Sequence, residues 1–478
     1  MSTNVPHSAP CSKLGQMKDS HAYAAQPEVL APAGSLATLR TAIDFGADAV
    51  YAGGQQFGMR SAPKNLTLED FEKGVAYAHE RGARVYATCN ILPDSDEVTA
   101  MNAYMGRLAE IGVDALIVAD IGVLMAARRI APHTEIHVST QAGVTNYQAA
   151  TALAELGASR VVLARELTLP QIRELRAHVP ASLEIEAFVH GSMCVAFSGR
   201  CSLSKHATGR DANHGDCVQP CRWQYHVVEE KRPGEFLPVE VDERGAFIFS
   251  SQDMNMLEHV DDVLDAGVTS LKIEGRAKGA YYVAAMANAY KAAVTAYQRQ
   301  RANERAAGAP AAPIRWPEWL AAEPYKVTHR EYSTGFYYPD QPAGEIGGGR
   351  GGYINDWRWL GTVLGYDPGT QRLRVYSRNK IAPGMDLEFV TPGAWQELRA
   401  PVQYLVPSDN RGASAATPAA PHLAPCGNSG AAQFWDAAGE AAAEINNPAH
   451  EFEMWLPVSL AGARGERIPE GSMIRARA

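Results

Sequence analysis

Four cysteines stand close together in this 478-residue chain: Cys194, Cys201, Cys217 and Cys221. Six residues separate the first two, fifteen the second and third, and three the last two. Thiolates are soft ligands that select zinc or an iron–sulfur cluster. Structural zinc sites usually carry two tight C-x2-C knuckles, and none is present here. The spacing favours iron–sulfur, with zinc or no metal as the alternatives. The remaining cysteines, Cys11, Cys89 and Cys426, are far apart. Cys89 falls in an apolar run and reads as small core filler.

The cysteines must be held by a scaffold, and the chain supplies a regular one. Short β-rich runs occur at Val29–Ala33, Ala49–Gly53, Arg84–Asn90, Ala115–Asp120, Glu135–Gln141, Arg160–Arg165, Leu183–Val189 and Ser270–Glu274. Stretches with helical spacing, such as Glu69–Glu80 and Ala149–Leu156, lie between them. Gly46, Gly82, Gly112, Gly157 and Gly267 follow the helical stretches, where glycine ends a helix at little cost. Parallel strands need crossovers, so repeated strand–helix units build a parallel sheet. Eight of them predict an α/β fold, a closed (β/α)8 TIM-like barrel. An open doubly wound sheet is the alternative, but Gly53-Gly54 does not complete a dinucleotide fingerprint.

Barrel chemistry sits at the C-terminal strand ends. Polar residues gather there: Arg60, Asn90, Asp120, Gln141, Arg165, His190, Lys272, Glu274 and Arg276. Asn90 and Gln141 are candidate substrate contacts. His190, Glu186 and Glu274 are candidate catalytic groups. His190 stands four residues before Cys194. It could move a proton near neutral pH or support a metal centre by hydrogen bonding. By alternation Glu186 shares a face with His190, and a buried carboxylate there would demand a partner.

The seventh strand is followed by a break in rhythm. Residues 191–250 hold the four cysteines and read as an insertion over the barrel mouth. The organisation expected is a disordered tail over 1–26, a barrel over 27–300, a linker over 301–325 and a β-rich domain over 326–478. In that last part, Leu360–Gly365 and Arg372–Ser377 flank the turn Asp367-Pro368-Gly369-Thr370. A further strand is expected at Leu387–Val390, and a small β-barrel or sandwich overall.

The net charge of −9 excludes a globally basic nucleic-acid binder, so any such contact needs a local patch. Residues 350–380 carry Arg350, Arg358, Arg372, Arg374, Arg378 and Lys380 against Asp356 and Asp367. That segment reads either as such a patch or as a solvated β surface. No apolar run of about 18 residues predicts a membrane span. The polar first 26 residues lack the apolar core of a secretion signal. A cytoplasmic protein is expected, in which clustered cysteines suggest metal rather than disulfides.

Several segments carry a resemblance. Glu186-Ala-Phe-Val-His-Gly-Ser-Met-Cys194-Val-Ala-Phe-Ser-Gly-Arg-Cys201 is similar to the signature of the collagenase-like peptidase family, formerly of unknown catalytic type. Cys217-Val-Gln-Pro-Cys221-Arg-Trp223, Ser270-Leu-Lys-Ile-Glu-Gly-Arg276, Leu30-Ala-Pro-Ala-Gly34, Gly46–Gly53 and Ser139-Thr-Gln141 fit the same family. The likeness runs from about residue 28 to 300 and reappears at Arg378-Asn-Lys-Ile-Ala-Pro-Gly384. It is greatest to the branch that makes 5-hydroxyuridine at the wobble position of tRNA. Other branches hydroxylate a cytidine of ribosomal RNA or the ring of a quinone precursor.

The resemblance implies a 4Fe–4S cluster on the four cysteines, tRNA as substrate and prephenate as co-substrate. Prephenate carries two carboxylates, which arginine forks grip in bidentate fashion. Arg60, Arg165, Arg200 and Arg276 are the candidate clamps, with structural ion pairs as their other reading. Aromatisation of prephenate would drive oxygen transfer, and four thiolates on four irons favour an electron-transfer role for the cluster. Peptide hydrolysis is the competing activity. It needs an activated nucleophile or metal-bound water, and the chain has neither G-x-S-x-G nor H-E-x-x-H. A non-catalytic iron–sulfur scaffold is the third reading.

Overall fold

A computed structural model describes residues 26–58, 65–193, 201, 203–210, 212, 216–220, 223, 227–228, 236–237, 252–338, 353–407, 433–457, 460 and 468–478. Seven strands follow in order: β1 (Glu28–Ala33), β2 (Ala49–Gly53), β3 (Arg84–Cys89), β4 (Ala115–Val118), β5 (Glu135–Val138), β6 (Arg160–Val162) and β7 (Glu184–Ser192). Three short strands, β8 (Val227–Val228), β9 (Phe236–Leu237) and β10 (Asp253–Asn255), precede β11 (Ser270–Ile273). β11 pairs in parallel with both β1 and β7, so the expected eight-stranded barrel closes.

The crossovers are helices α1 (Leu36–Asp44), α2 (Leu68–Glu80), α3 (Val98–Ile111), α4 (Ile121–Ile130), α5 (Tyr147–Glu155) and α6 (Leu169–His178). Their starts are written in the loops. Thr67 and Thr168 form capping boxes with Asp70 and Gln171, and Ser35, Asp120 and Asn146 cap with their side chains. Such caps satisfy amides that the first helical turn leaves without partners. Asp120, at a strand end in the sequence, is thus the α4 cap, accepting from Val123 N at 2.9 Å. The five glycines expected to end helices all have positive φ. The apolar core lies between the outer strand faces and these helices, and includes Val50, Val85, Leu116 and Ile185.

β7 outlasts its neighbours. Its last residues, 190–192, pair with β10, which pairs in turn with β12 (Tyr332–Ser333). This extension rises from the C-terminal end of the barrel, where the cysteine segment begins. After short α7 (Leu203–Thr208) and α8 (Val260–Asp265), the helix α9 runs from Ala280 to Ala307. The expected linker over 301–325 therefore begins as helix. No helix among the described residues is long and apolar enough to cross a membrane.

The C-terminal part is one antiparallel curled sheet with its own apolar core. It comprises β13 (Trp357–Asp367), β14 (Arg372–Ser377), β15 (Asp386–Val390), β16 (Val402–Leu405), β17 (Phe434–Trp435), β18 (Ala441–Ala442), β19 (Glu451–Trp455) and β20 (Met473–Arg477). β13 and β14 form the expected hairpin, and Asp367 shapes its turn by accepting from Gly369 N at 2.9 Å. Buried Arg475 of β20 pairs with Glu388 of β15 in the same sheet and with Glu323, which precedes the sheet, each at 2.6 Å.

Candidate functional site at the barrel mouth

The lower barrel interior is a closed ion network. Arg160 is 1% exposed and meets Glu28 at 2.6 Å and Glu186 at 3.1 Å, and also pairs with Glu184. Lys272 reaches Glu186 at 2.5 Å, while Tyr86 and Ser270 donate to Glu28 at 2.6 and 2.8 Å. Strand register brings these residues together: Arg160 lies opposite Glu184, and Ser270 opposite both Glu186 and Glu28. Burial alone would raise the Glu28 pKa, but Arg160 and Arg84 hold it down at about 2. Burial opposes ionisation of Glu186 too, and Lys272 and Arg160 outweigh it. Glu186 thus has the partners its burial demanded, and sits as a paired anion below the mouth.

Above this layer the partners change. Lys272 Nζ lies 4.4 Å from the Tyr51 ring and 5.5 Å from the Phe188 ring. The Arg165 guanidinium covers Phe188 at 3.9 Å and donates to Ser192 O at 2.9 Å. Arg276, just beyond β11, donates to Thr88 Oγ1 at 3.2 Å. Its guanidinium fits because residue 53 is glycine, where a Cβ would fall 2.1 Å from Nη1. Asn90 donates to Gln141 Oε1 at 2.6 Å and to Ser139 Oγ at 3.3 Å. The structure therefore gathers Arg165, Arg276, Asn90 and Gln141 around the C-terminal strand ends. Arg60 and Arg200 lie outside the described residues.

His190 departs from the expected alternation. The register of β7 against β11 shifts between Lys272 and Ile273, which pair with Phe188 and His190. A bulge re-aims the following side chain. The His190 ring packs against Tyr282 and Tyr290 of α9 and Tyr332 of β12, with centroids 5.5 to 6.0 Å away. Tyr290 Oη lies 3.3 Å from His190 Nδ1. Burial pushes its pKa down to about 3. His190 is a neutral ring in an aromatic pocket and does not share the face of Glu186. Glu274 is also buried; its N–H donates to His190 O at 2.8 Å and its carbonyl accepts from Tyr282 at 2.8 Å. These backbone bonds fix the loop that carries Arg276.

Of the four clustered cysteines, Cys201 and Cys217 are described; Cys194 and Cys221 lie outside the described residues. Cys201 is half-buried and Cys217 exposed, and neither forms a disulfide. Buried Ser204, three residues after Cys201, links the two segments. Its hydroxyl lies 3.4 Å from Asp216 O and accepts from Val218 N at 3.2 Å. Arg210 also pairs with Asp216. The segment holding Cys217 is thus fastened to the one that follows Cys201. No group of three or more metal-binding side chains forms among the described residues. Cys89 is a buried thiol pushed up to about 12, in keeping with core filler.

Sequence reading missed three contributors. Arg160, the hub of the network, stands at the start of a strand rather than its end. Glu184 and Glu186 one strand away were the available clue, but register is not visible in a single sequence. Thr88 looked like an ordinary β-branched strand residue. The buried pair Asp253–Arg330, at 2.7 Å, joins residues on β10 and before β12.

The model of peptidase family U32 matches residues 34–346. tRNA hydroxylation protein P1 of Bacillus subtilis is 37% identical over 372 residues, covering 77% of this chain and 84% of that protein. tRNA hydroxylation protein P of Escherichia coli is 33% identical over 411 residues, covering 77% of this chain and 86% of that protein. A collagenase of Porphyromonas gingivalis is 34% identical over 320 residues, covering 65% of this chain and 73% of that protein.

Proposed function

This chain belongs to peptidase family U32, and from that premise we propose that it is an RNA hydroxylase, acting on the wobble uridine of tRNA to form 5-hydroxyuridine. The observation that carries the reading is the mouth itself. Arg165 and Arg276 stand around the strand ends with Lys272 below them, and Asn90 and Gln141 add amide groups. Such a ring suits a small dianion. Among the described residues no serine or thiol nucleophile is joined to a histidine, and Cys89, the thiol on a barrel strand, is protonated. The similarity to two tRNA hydroxylation proteins supports the same choice over peptidase.

Prephenate is the proposed co-substrate, its carboxylates held by Arg165 and Arg276. Arg60 and Arg200 are proposed to join them. Phe188 and Tyr51 would then face its ring. The proposed 4Fe–4S cluster would be held by Cys194, Cys201, Cys217 and Cys221. The described half of that donor set fits: two reduced thiols on segments bound to one another by Ser204. A bound cluster supplies one-electron chemistry. The protein's own groups bind, orient and exclude water: Glu274 positions the Arg276 loop through its backbone, and His190 stays neutral. A cytoplasmic location follows from a tRNA substrate.

The test is mass spectrometry of tRNA nucleosides from cells lacking the gene. Loss of 5-hydroxyuridine and its derivatives, restored by the intact gene, is expected. An unchanged tRNA profile with loss of a hydroxylated ribosomal cytidine or of quinone would redirect the substrate assignment.

A further inference from the structure

We propose that RNA docks along a strip that starts beside the barrel mouth and continues onto the outer face of the C-terminal sheet, an assignment that rests on the RNA reading above. The strip begins at Lys278, two residues beyond Arg276. Its Nζ lies 5.1 Å from the Tyr353 ring and 5.2 Å from the Tyr282 ring, and Tyr353 is 51% exposed. In the first turn of α9, Tyr281 stacks on Trp359 of β13, with centroids 6.4 Å apart and planes 13° from parallel. Arg378 then lies 5.0 Å from Trp359 and 4.9 Å from Tyr376. On β14 the buried Leu373, Val375 and Ser377 turn inward, so Arg374 and Tyr376 share the outward face with Arg378 beyond them.

Charge decides the occupant. Acids outnumber bases in this chain, 53 to 44. Among the described residues Lys278, Arg374 and Arg378 form no ion pair within 4.0 Å, although Glu453 and Glu451 of β19 stand opposite Arg374 and Tyr376 and the Lys278 charge helps to keep Asp253 ionised. Just outside, the cations are neutralised: Arg372 pairs with Glu453 at 2.9 Å and Lys380 with Glu444 at 2.7 Å. Tyr281 and Tyr282 are buried, but exposed Tyr353 and half-buried Trp359 and Tyr376 stand beside these cations, which matches a phosphate backbone with accessible bases. Contact with the Trp359 and Tyr376 rings steadies the Arg378 guanidinium, whose donors match a phosphate. An acidic peptide would meet the charges but leave the rings without a planar partner. The strip leads to Arg276, so an RNA lying on it would deliver a base to the mouth.

The probe is an end-labelled, unmodified tRNA transcript, titrated by anisotropy at several salt concentrations. Replacing Lys278, Arg374 and Arg378 together by Gln is expected to weaken binding at least tenfold. It should also lower the salt-dependence slope by about 2 to 3, given roughly 0.7–0.9 per phosphate contact. Tyr353→Ala should weaken binding about tenfold and leave the slope unchanged, as stacking does. Arg372→Gln with Lys380→Gln, outside the strip, should change affinity by less than about twofold. Arg374→Gln alone, at an exposed side chain, guards against a folding defect in the triple variant and should lower the slope by about one. A triple variant with wild-type affinity and slope overturns the strip while leaving hydroxylation intact. Equal competition by polyglutamate overturns its assignment to RNA. Wild-type protein that neither binds nor hydroxylates RNA overturns both readings.

Discussion

The two halves of the barrel interior use the same residue types to opposite ends. Below, Arg160 is surrounded by Glu28, Glu184 and Glu186, and Lys272 closes on Glu186. Above, Arg276 donates to a threonine hydroxyl, and Arg165 lies on a phenyl ring and donates to a backbone carbonyl. A guanidinium held by carboxylates is committed to the fold. The hydroxyl, ring and carbonyl met at the mouth carry no formal charge, unlike the carboxylates below. Burial alone therefore does not mark function in this molecule; the kind of partner does.

The contrast breaks most sharply at Arg160. Arg160→Met leaves three carboxylates around an apolar stem and should destabilise the protein by about 3–5 kcal/mol, measured by denaturant unfolding. A loss below about 1 kcal/mol would mean the network relaxes or takes up protons. The same region sets an acid limit. The folded Glu28 pKa of about 2 lies below its ordinary 4.5, so this stability is fully present above pH 4.5. It should fade as pH falls from 4.5 towards 2, by about 3 kcal/mol in all. In Arg160→Met that acid-dependent loss should largely disappear.

At the mouth the effect should move from stability to rate. Arg276→Gln is expected to lower hydroxylation about 100-fold, or about 2.7 kcal/mol of transition-state binding. Its unfolding midpoint should match wild type. A large stability loss with normal rate would place Arg276 with Arg160. Gly53→Ala sharpens the point without touching a polar group. The added methyl falls where the Arg276 guanidinium lies and should lower the rate about tenfold, chiefly by displacing it. Asn90→Ala should be mildest, within about 1–2 kcal/mol of wild type in rate or stability, since it leaves the Gln141 amide in place.

The barrel was legible because local signals recur along the chain: short β-rich runs alternate with helical stretches, five of which are followed by glycine. The hairpin at Asp367–Thr370 was legible for the same reason. The partners of individual charges were not. Glu186 and His190 stand on one strand at even spacing, yet a bulge across from Lys272 and Ile273 sends them to different surroundings. Arg160 and Glu28 are 132 positions apart and meet only when the barrel closes. Asp120 looked like a mouth residue and is a helix cap, since both roles place a short acid just after a strand. The C-terminal part was legible as a small β-barrel or sandwich from its strand runs and turns, and it is one antiparallel curled sheet with its own core.

The account stands most directly on the chemistry of the purified protein. Anaerobically prepared enzyme, with iron and sulfide measured, should convert uridine to 5-hydroxyuridine in an unmodified tRNA transcript only when prephenate is supplied, in proportion to its iron content. Equal hydroxylation without prephenate, or peptide cleavage by iron-free colourless protein, would contradict it.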